Sequence, residues 1–420
     1  MWNEGWQRTK NMIIRFVKWS ILGIITGVIV GVFATGFAKA LSYATLFRES
    51  HPYTFFTLPI GGVLIVLLYK LTGMENDGGT DNVINSLHDD IVVPLRLAFC
   101  IFIATLITIF CGGSVGREGA ALQMGASLGN TVCRSARFDK EDRKVLIMTG
   151  MAAAFGALFG TPMAAAFFSM EVASIGIMHY AAIVPCIFAS LSAYEIIRCF
   201  GVRGENFIIT ESYDMSVIFS LKVFLIAALC ALISIIFCIA LQSIEKVGHT
   251  YLKNKFLRII VGSAILIVLN LFIGTNDYQG TGMAVIERAL HGEADTWAFF
   301  WKLVFTVITI AAGFKGGEIV PSFFIGATFG CMMAGLLGLP TILGASVGMI
   351  AVFCGVTNCP VASILIAIEM FGTNNIYYIL IGVAVSYMLS GYFSLYHTQV
   401  IFFSKGKEEA IRRKIGHLFK

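Results

Sequence analysis

Charge is scarce in this 420-residue chain: Asp, Glu, Lys and Arg together make up 13% of it, where soluble domains carry about 25%. With 57% hydrophobic residues, it cannot cover itself in water, which excludes an ordinary soluble domain. Familiar enzyme patterns are missing too. The 7 His are scattered, and neither HExxH nor a Walker loop occurs, so zinc-protease and nucleotide-hydrolase chemistry lack their residues. The 10 Cys form no CxxC pair. They lie mostly inside apolar segments, Cys230, Cys238 and Cys331 among them, and read as small buried hydrophobes rather than a disulfide framework. No metal site or cofactor is implied. The net charge of +5 is no sign of nucleic acid, because the basic residues collect at the two ends and in short connectors.

What the chain has is apolar length. Runs recur at 21–38, 55–71, 97–111, 217–241, 259–273, 299–314 and 376–395, several near the roughly 20 residues that a helix needs to cross a bilayer. The mean hydropathy is +0.82. The expectation is an integral protein of the cell membrane. The first run is too long for a secretory h-region and lacks a small-residue cleavage site, so it is kept as a membrane helix. The basic stretches "MWNEGWQRTKNMIIRFVKW" and "SKGKEEAIRRKIGHLFK" place both termini in the cytoplasm, which requires an even number of crossings.

The chain also repeats itself at a spacing near 200 residues. "MAAAFGALFGTPMAAAFFSME" (Met151–Glu171) aligns without a gap with "MIAVFCGVTNCPVASILIAIE" (Met349–Glu369). "GREGAALQMGASLG" at 116–129 matches "GGEIVPSFFIGATFG" at 316–330, with Glu118 opposite Glu318. "NDGGTDN" at 76–82 and "NDYQGTGM" at 276–283 form a weaker third pair. Two halves follow, about 1–205 and 206–420, joined by the polar stretch 198–214. An odd number of crossings in each half would invert the second, as in many transporters. "FGTP" at 159–162 and "TNCP" at 357–360 predict broken helices, which a membrane tolerates where they line a cavity.

The glycine-rich stretches "GGSVGREG" and "GFKGGEIVP" each precede an apolar helical segment. A helix start offers unpaired N–H groups and a positive dipole end, and glycine lets a ligand approach the backbone, so such a segment suits an anion. "GGTDN" supplies a third start, with the Thr80 hydroxyl as a further donor. These glycines would equally serve close helix packing; their pairing across the repeat, each with a Glu, favours the anion site. Glu118 is then a carboxylate that occupies the site when ionised and leaves when protonated, coupling protons to anions. Glu318 is a second acid in the path, the alternative being a packing role with Lys315 as partner. Arg117 is expected to pair with an acidic group and hold the loop. Glu171 and Glu369, duplicated at the ends of the repeated segments, suggest an architectural pairing with a backbone or basic group.

"GREG" at 116–119, "GGEIVP" at 316–321, "GGTDN" at 78–82 and Tyr396 in "SLYHTQ" together resemble the CLC family of anion channels and proton/anion antiporters, over about residues 15–400. The resemblance implies an all-α membrane fold of two inverted-topology repeats with many short and broken helices. The implied assembly is a homodimer with a separate anion path in each subunit and no cytosolic regulatory domain. It makes Glu118 the gating glutamate. Its implied anion-binding set is Thr80, Gly116, Arg117, Gly119, Gly317, Ile319, Val320 and Tyr396. Glu171 falls near the intracellular proton-transfer glutamate of chloride exchangers, but Val172 follows it. The Glu in "GGEIVP" resembles the fluoride-exporting branch, whose following Thr is here Val320. The resemblance therefore implies proton-coupled halide antiport, fluoride before chloride. The alternatives are a passive chloride channel on the same fold, a membrane-embedded enzyme and a structural membrane protein.

Overall fold

The computed structural model describes residues 2–202, 204, 206–407 and 409–415. Its helices fall in two runs of eight. The first is α1 (Trp2–Ser50), α2 (Leu58–Leu71), α3 (Thr80–His88), α4 (Leu95–Phe110), α5 (Glu118–Ser135), α6 (Lys140–Phe159), α7 (Pro162–Glu171) and α8 (Ile183–Cys199). The second is α9 (Val217–Tyr251), α10 (Lys255–Ile273), α11 (Met283–Leu290), α12 (Ala298–Ala312), α13 (Ile319–Leu337), α14 (Thr341–Thr357), α15 (Pro360–Phe371) and α16 (Ile376–Leu389). The matched repeat segments fall on α5 and α13, and on α6–α7 and α14–α15.

Among the described residues, six helical stretches are long and apolar enough to cross a bilayer. Leu71, Val217 and Phe272 are 79%, 77% and 80% exposed, an apolar exterior that hydrocarbon accepts and water does not. The chain is a multi-pass membrane protein. α1 extends far beyond the apolar run that marks it: its 49 residues span roughly 73 Å, against a hydrocarbon core of about 30 Å. By contrast α3, α7 and α11 have 9, 10 and 8 residues and cannot cross.

The two expected breaks are present. α6 ends at Gly160 and α14 at Asn358, both left-handed with φ 76° and 57°. Pro162 and Pro360 then open the next helices, where a missing N–H costs nothing. The glutamates that close α7 and α15 hold these breaks together reciprocally. Glu171 accepts from the Val361 and Ala362 N–H groups at 3.2 and 2.9 Å. Glu369 accepts from Met163 and Ala164 at 2.9 and 2.8 Å. Each carboxylate caps the other helix's N-terminus, a charge-assisted pairing with backbone.

Glycine pairs bring α5 onto α6 and α13 onto α14. A Cβ at Gly125 would lie 2.2 Å from the Gly150 carbonyl oxygen, and one at Gly330 would lie 2.0 Å from that of Gly344. Here the close-packing role of small residues is realised, away from the glycine loops that precede α5 and α13.

One element departs from an all-helical expectation. β1 (Ser174–Ile175), β2 (Val400–Phe403) and β3 (Ala410–Lys414) form a small sheet, β1 parallel and β3 antiparallel to β2. These strands are too short to show a period in the sequence. The sheet pins the segment after Tyr396 to the end of α7. The join between the halves runs extended over the end of α15, where Phe207 and Ile209 donate to the Met370 and Phe371 carbonyls; residue 205, at the expected boundary, lies outside the described residues.

Candidate anion-binding site

The glycine loops of the two halves meet. Gly116 and Gly317 form an antiparallel bridge, with N–H to carbonyl distances of 2.6 and 2.9 Å in the two directions. This places the starts of α5 and α13 side by side. Both starts, and that of α3, lack a side-chain cap, whereas Asp139 and Asn254 cap α6 and α10. The first N–H groups of three helices are thus left without capping side chains around one place, the arrangement that favours negative charge.

Glu118 lies at that place. Its side chain is wholly buried, and neither carboxyl oxygen has a hydrogen-bond partner among the described residues. The carboxylate rests on glycine: a Cβ at Gly116 would sit 2.0 Å from Oε2, and one at Gly317 would sit 2.7 Å from it. Any larger residue at either position would expel the carboxylate. The same reasoning covers Gly119, whose Cβ would meet the Gly316 carbonyl and the Gly317 Cα at 2.9 Å and the Thr80 hydroxyl at 3.4 Å. The Val320 N–H lies within electrostatic reach of the carboxylate. Arg117 donates to the Leu158 carbonyl at 3.2 Å, which ties the loop to the end of α6.

A cavity of about 890 Å³ opens below this cluster. Thr80, Gln123, Lys315, Glu318 and Tyr396 line it, together with Asp81, Glu245 and His397. Glu318 lines it and Glu118 does not. Thr80 opens α3 and receives a bond from Gln123 of α5 at 3.3 Å. Tyr396 is positioned from both sides. Its N–H donates to the Ser394 hydroxyl at 3.1 Å, and Thr398 donates its N–H and hydroxyl to the Asp81 carboxylate at 3.1 and 2.9 Å. Lys315 is not the partner of Glu318: its ammonium lies 4.7 Å from the centre of the Tyr69 ring, and no ion pair joins the two among the described residues. Ile319 and Val320 are the first residues of α13, and Val320 is among the buried groups around Glu118.

The structure thus brings Thr80, Gly116, Glu118, Gly119 and Gly317 together at the meeting of the two loops and places Thr80, Glu318 and Tyr396 on the cavity wall, while the Arg117 side chain turns to the end of α6. Gln123 and the Asp81–Thr398 link were not singled out as site residues. The partners of that link are 317 residues apart, and nothing local announces it. One sequence pattern has no functional counterpart in the fold. "GGSVG" at 112–116 satisfies the GxSxG pattern of hydrolases, yet it follows helix α4 rather than a strand, and the Ser114 hydroxyl bonds to Thr306 at 3.0 Å. It is no nucleophile elbow.

The sequence profile described as voltage gated chloride channel matches residues 61–391. The chain belongs to that family. A protein of Pseudomonas syringae pv. tomato named chloride/fluoride channel protein is 34% identical over 395 residues, covering 92% of this chain and 87% of its relative. The crystal structure of a CLC-type fluoride/proton antiporter matches with a TM-score of 0.89 at 32% identity, over 92% of this chain and 98% of that one. A slow cyanobacterial chloride/proton antiporter matches with a TM-score of 0.77 at 20% identity, over 89% and 94%; at that identity the likeness is one of fold. The family is one of channels and transporters.

Proposed function

We propose that this CLC-family chain is a proton-coupled fluoride antiporter, with chloride as the less preferred halide. Glu118 is its moving gate and Glu318 the second acid of the path. The observation behind this reading is the buried Glu118 carboxylate: among the described residues neither of its oxygens has a hydrogen-bond partner, it lies where three uncapped helix starts converge, and a second acid, Glu318, lines the open cavity. An ionised carboxylate is itself an anion and competes for the site; once protonated it leaves, and a halide enters. Fluoride holds its water tightly and needs strong donors in exchange. Protonated carboxyls supply these, because hydrogen bonds to ions are among the strong ones. The names of the Pseudomonas relative and of the fluoride/proton antiporter point the same way.

Thr80, Tyr396 and the N–H groups of Gly119, Ile319 and Val320 form the halide contacts, while Gly116 and Gly317 leave room for the gate and Arg117 fixes its loop. The two runs of eight helices act as inverted repeats, the chain pairs as a homodimer with a path in each subunit, and both termini face the cytoplasm. The cavity is then the cytoplasmic vestibule.

Glu118→Gln tests the gate. The variant should still move halide but should carry no protons, since an amide cannot take one up. Proton movement at the wild-type ratio in purified Glu118→Gln protein would remove Glu118 from the mechanism.

A further inference from the structure

The two side chains assigned to the halide, Thr80 and Tyr396, come from opposite halves of the chain, and each is held by its own surroundings. Thr80 accepts from the Gln123 amide of α5 at 3.3 Å, which leaves the hydroxyl proton to be donated to an ion. The Tyr396 segment is anchored to the ends of α7 and α14. Leu395 donates its N–H to the Val356 carbonyl at 2.9 Å. The buried Gln399 amide donates to the Val172 and Thr357 carbonyls at 2.9 and 3.0 Å.

Asp81 joins the two. It follows Thr80 in the first turn of α3 and lines the same cavity. A single carboxyl oxygen, Oδ1, accepts both the Thr398 N–H at 3.1 Å and the Thr398 hydroxyl at 2.9 Å. The Asp81 backbone carbonyl lies 2.9 Å from that hydroxyl as well. Thr398 is the second residue after Tyr396, so the tie acts directly on the segment that presents the tyrosine. An acid in the wall of an anion vestibule repels the ion it should admit. Its hydrogen bonds give this one a different task.

We propose that Asp81 is a positioning residue for halide specificity: by tying Thr398 to the start of α3 it fixes the separation of Thr80 and Tyr396 and holds the pair at the spacing of the smaller halide. This rests on the fluoride reading above, with Thr80 and Tyr396 as halide contacts. A site rejects a larger ion only when the groups that line it cannot move apart, which needs supporting bonds behind them. Without the tie, the Tyr396 segment keeps its anchors at Val356, Val172 and Thr357 but is released from α3. The two contacts then separate, and chloride is admitted. Because Oδ1 takes both side-chain bonds, one oxygen suffices for the brace, whereas carrying a proton would need a carboxyl. A single substitution, Asp81→Asn, separates the two roles.

The test measures initial fluoride and chloride efflux from liposomes, with proton movement recorded alongside, for Asp81→Ala, Asp81→Asn and Thr398→Val. Thr80→Val and Tyr396→Phe serve as references. Asp81→Ala should lower the fluoride-to-chloride ratio about tenfold, the order of one lost hydrogen bond to a charged group. Thr398→Val keeps the N–H bond and should lower the ratio about threefold. Asp81→Asn keeps an accepting oxygen and should leave both the halide ratio and the proton movement near the wild type. A halide ratio as low in Asp81→Asn as in Asp81→Ala would overturn the proposal. So would an unmoved ratio in Asp81→Ala accompanied by lost proton movement, which would make Asp81 a proton carrier. If Asp81→Ala does not fold, Thr398→Val decides, since it leaves Asp81 in place and removes one of the bonds; an unmoved ratio there overturns the brace. Wild-type protein that moves chloride in preference to fluoride, or an unmoved ratio in both Thr80→Val and Tyr396→Phe, would instead refute the reading on which the brace rests.

Discussion

At the residue scale, the site is defined by what glycine omits. Glu118 fits because Gly116 and Gly317 have no Cβ for it to meet. Gly317→Ala would put a methyl 2.7 Å from the carboxyl oxygen and 2.4 Å from the Gly119 nitrogen, and backbone cannot give way as a side-chain end can. Flux in this variant should fall at least tenfold, a barrier change of about 1.4 kcal/mol, with the protein still folded by size-exclusion chromatography. Wild-type flux would show that the carboxylate does not need this seat. Glu118, Glu318 and the two glycine loops were legible in the sequence because a charge among apolar runs is conspicuous and its duplicate lies about 200 residues on. The partners of Asp81 and Gln123 were not legible, since contacts across hundreds of residues leave no spacing to read.

At the element scale, broken helices are held by reciprocal carboxylates. Glu171 and Glu369 each take two backbone N–H groups at the start of the opposite broken segment. Glu171→Gln exchanges one accepting oxygen for an NH₂ group that faces a donor. The loss of a hydrogen bond to a charged group in a buried place is worth about 1–3 kcal/mol. Thermal unfolding in detergent should therefore begin several degrees lower, and Glu369→Gln, whose site is more open, should lose less. Equal midpoints for both variants and the wild type would mean that the caps contribute nothing. Glycine seams make a second element-scale prediction: Gly330→Leu forces α13 from the Gly344 backbone and should abolish folded protein, where overpacking of one methylene alone costs about 1–3 kcal/mol. The proline breaks were readable because Pro acts locally. The length of α1 and the three-stranded sheet were not: α1 continues through polar residues that helix propensity tolerates, and the sheet depends on pairing between distant segments.

At the scale of the whole molecule, the inverted-repeat proposal has a geometric consequence. α5 and α13 start together at the Gly116–Gly317 bridge and would leave it towards opposite faces. Ser135, exposed at the end of α5, and Glu293, exposed in the loop packed against the start of α14, then lie on opposite sides of the membrane. With the exposed Cys199 replaced by Ser, Ser135→Cys and Glu293→Cys should react with an impermeant thiol reagent from opposite sides; labelling from one side would end the inverted arrangement. The fold as a whole was legible because the repeat, the apolar runs and the breaks agree with one another. Ion preference was not, because it depends on distances of a fraction of an ångström around Thr80, Val320 and Tyr396.

The measurement that tests the central claim most directly uses purified protein in liposomes under an inward fluoride or chloride gradient, with valinomycin present and internal pH recorded. The account predicts that an inward fluoride gradient drives protons out of the vesicles against their own gradient, more strongly than an equal chloride gradient, and that Glu118→Gln abolishes this movement. Halide flux with no proton movement under either gradient would contradict it and make the protein a passive channel on the same fold.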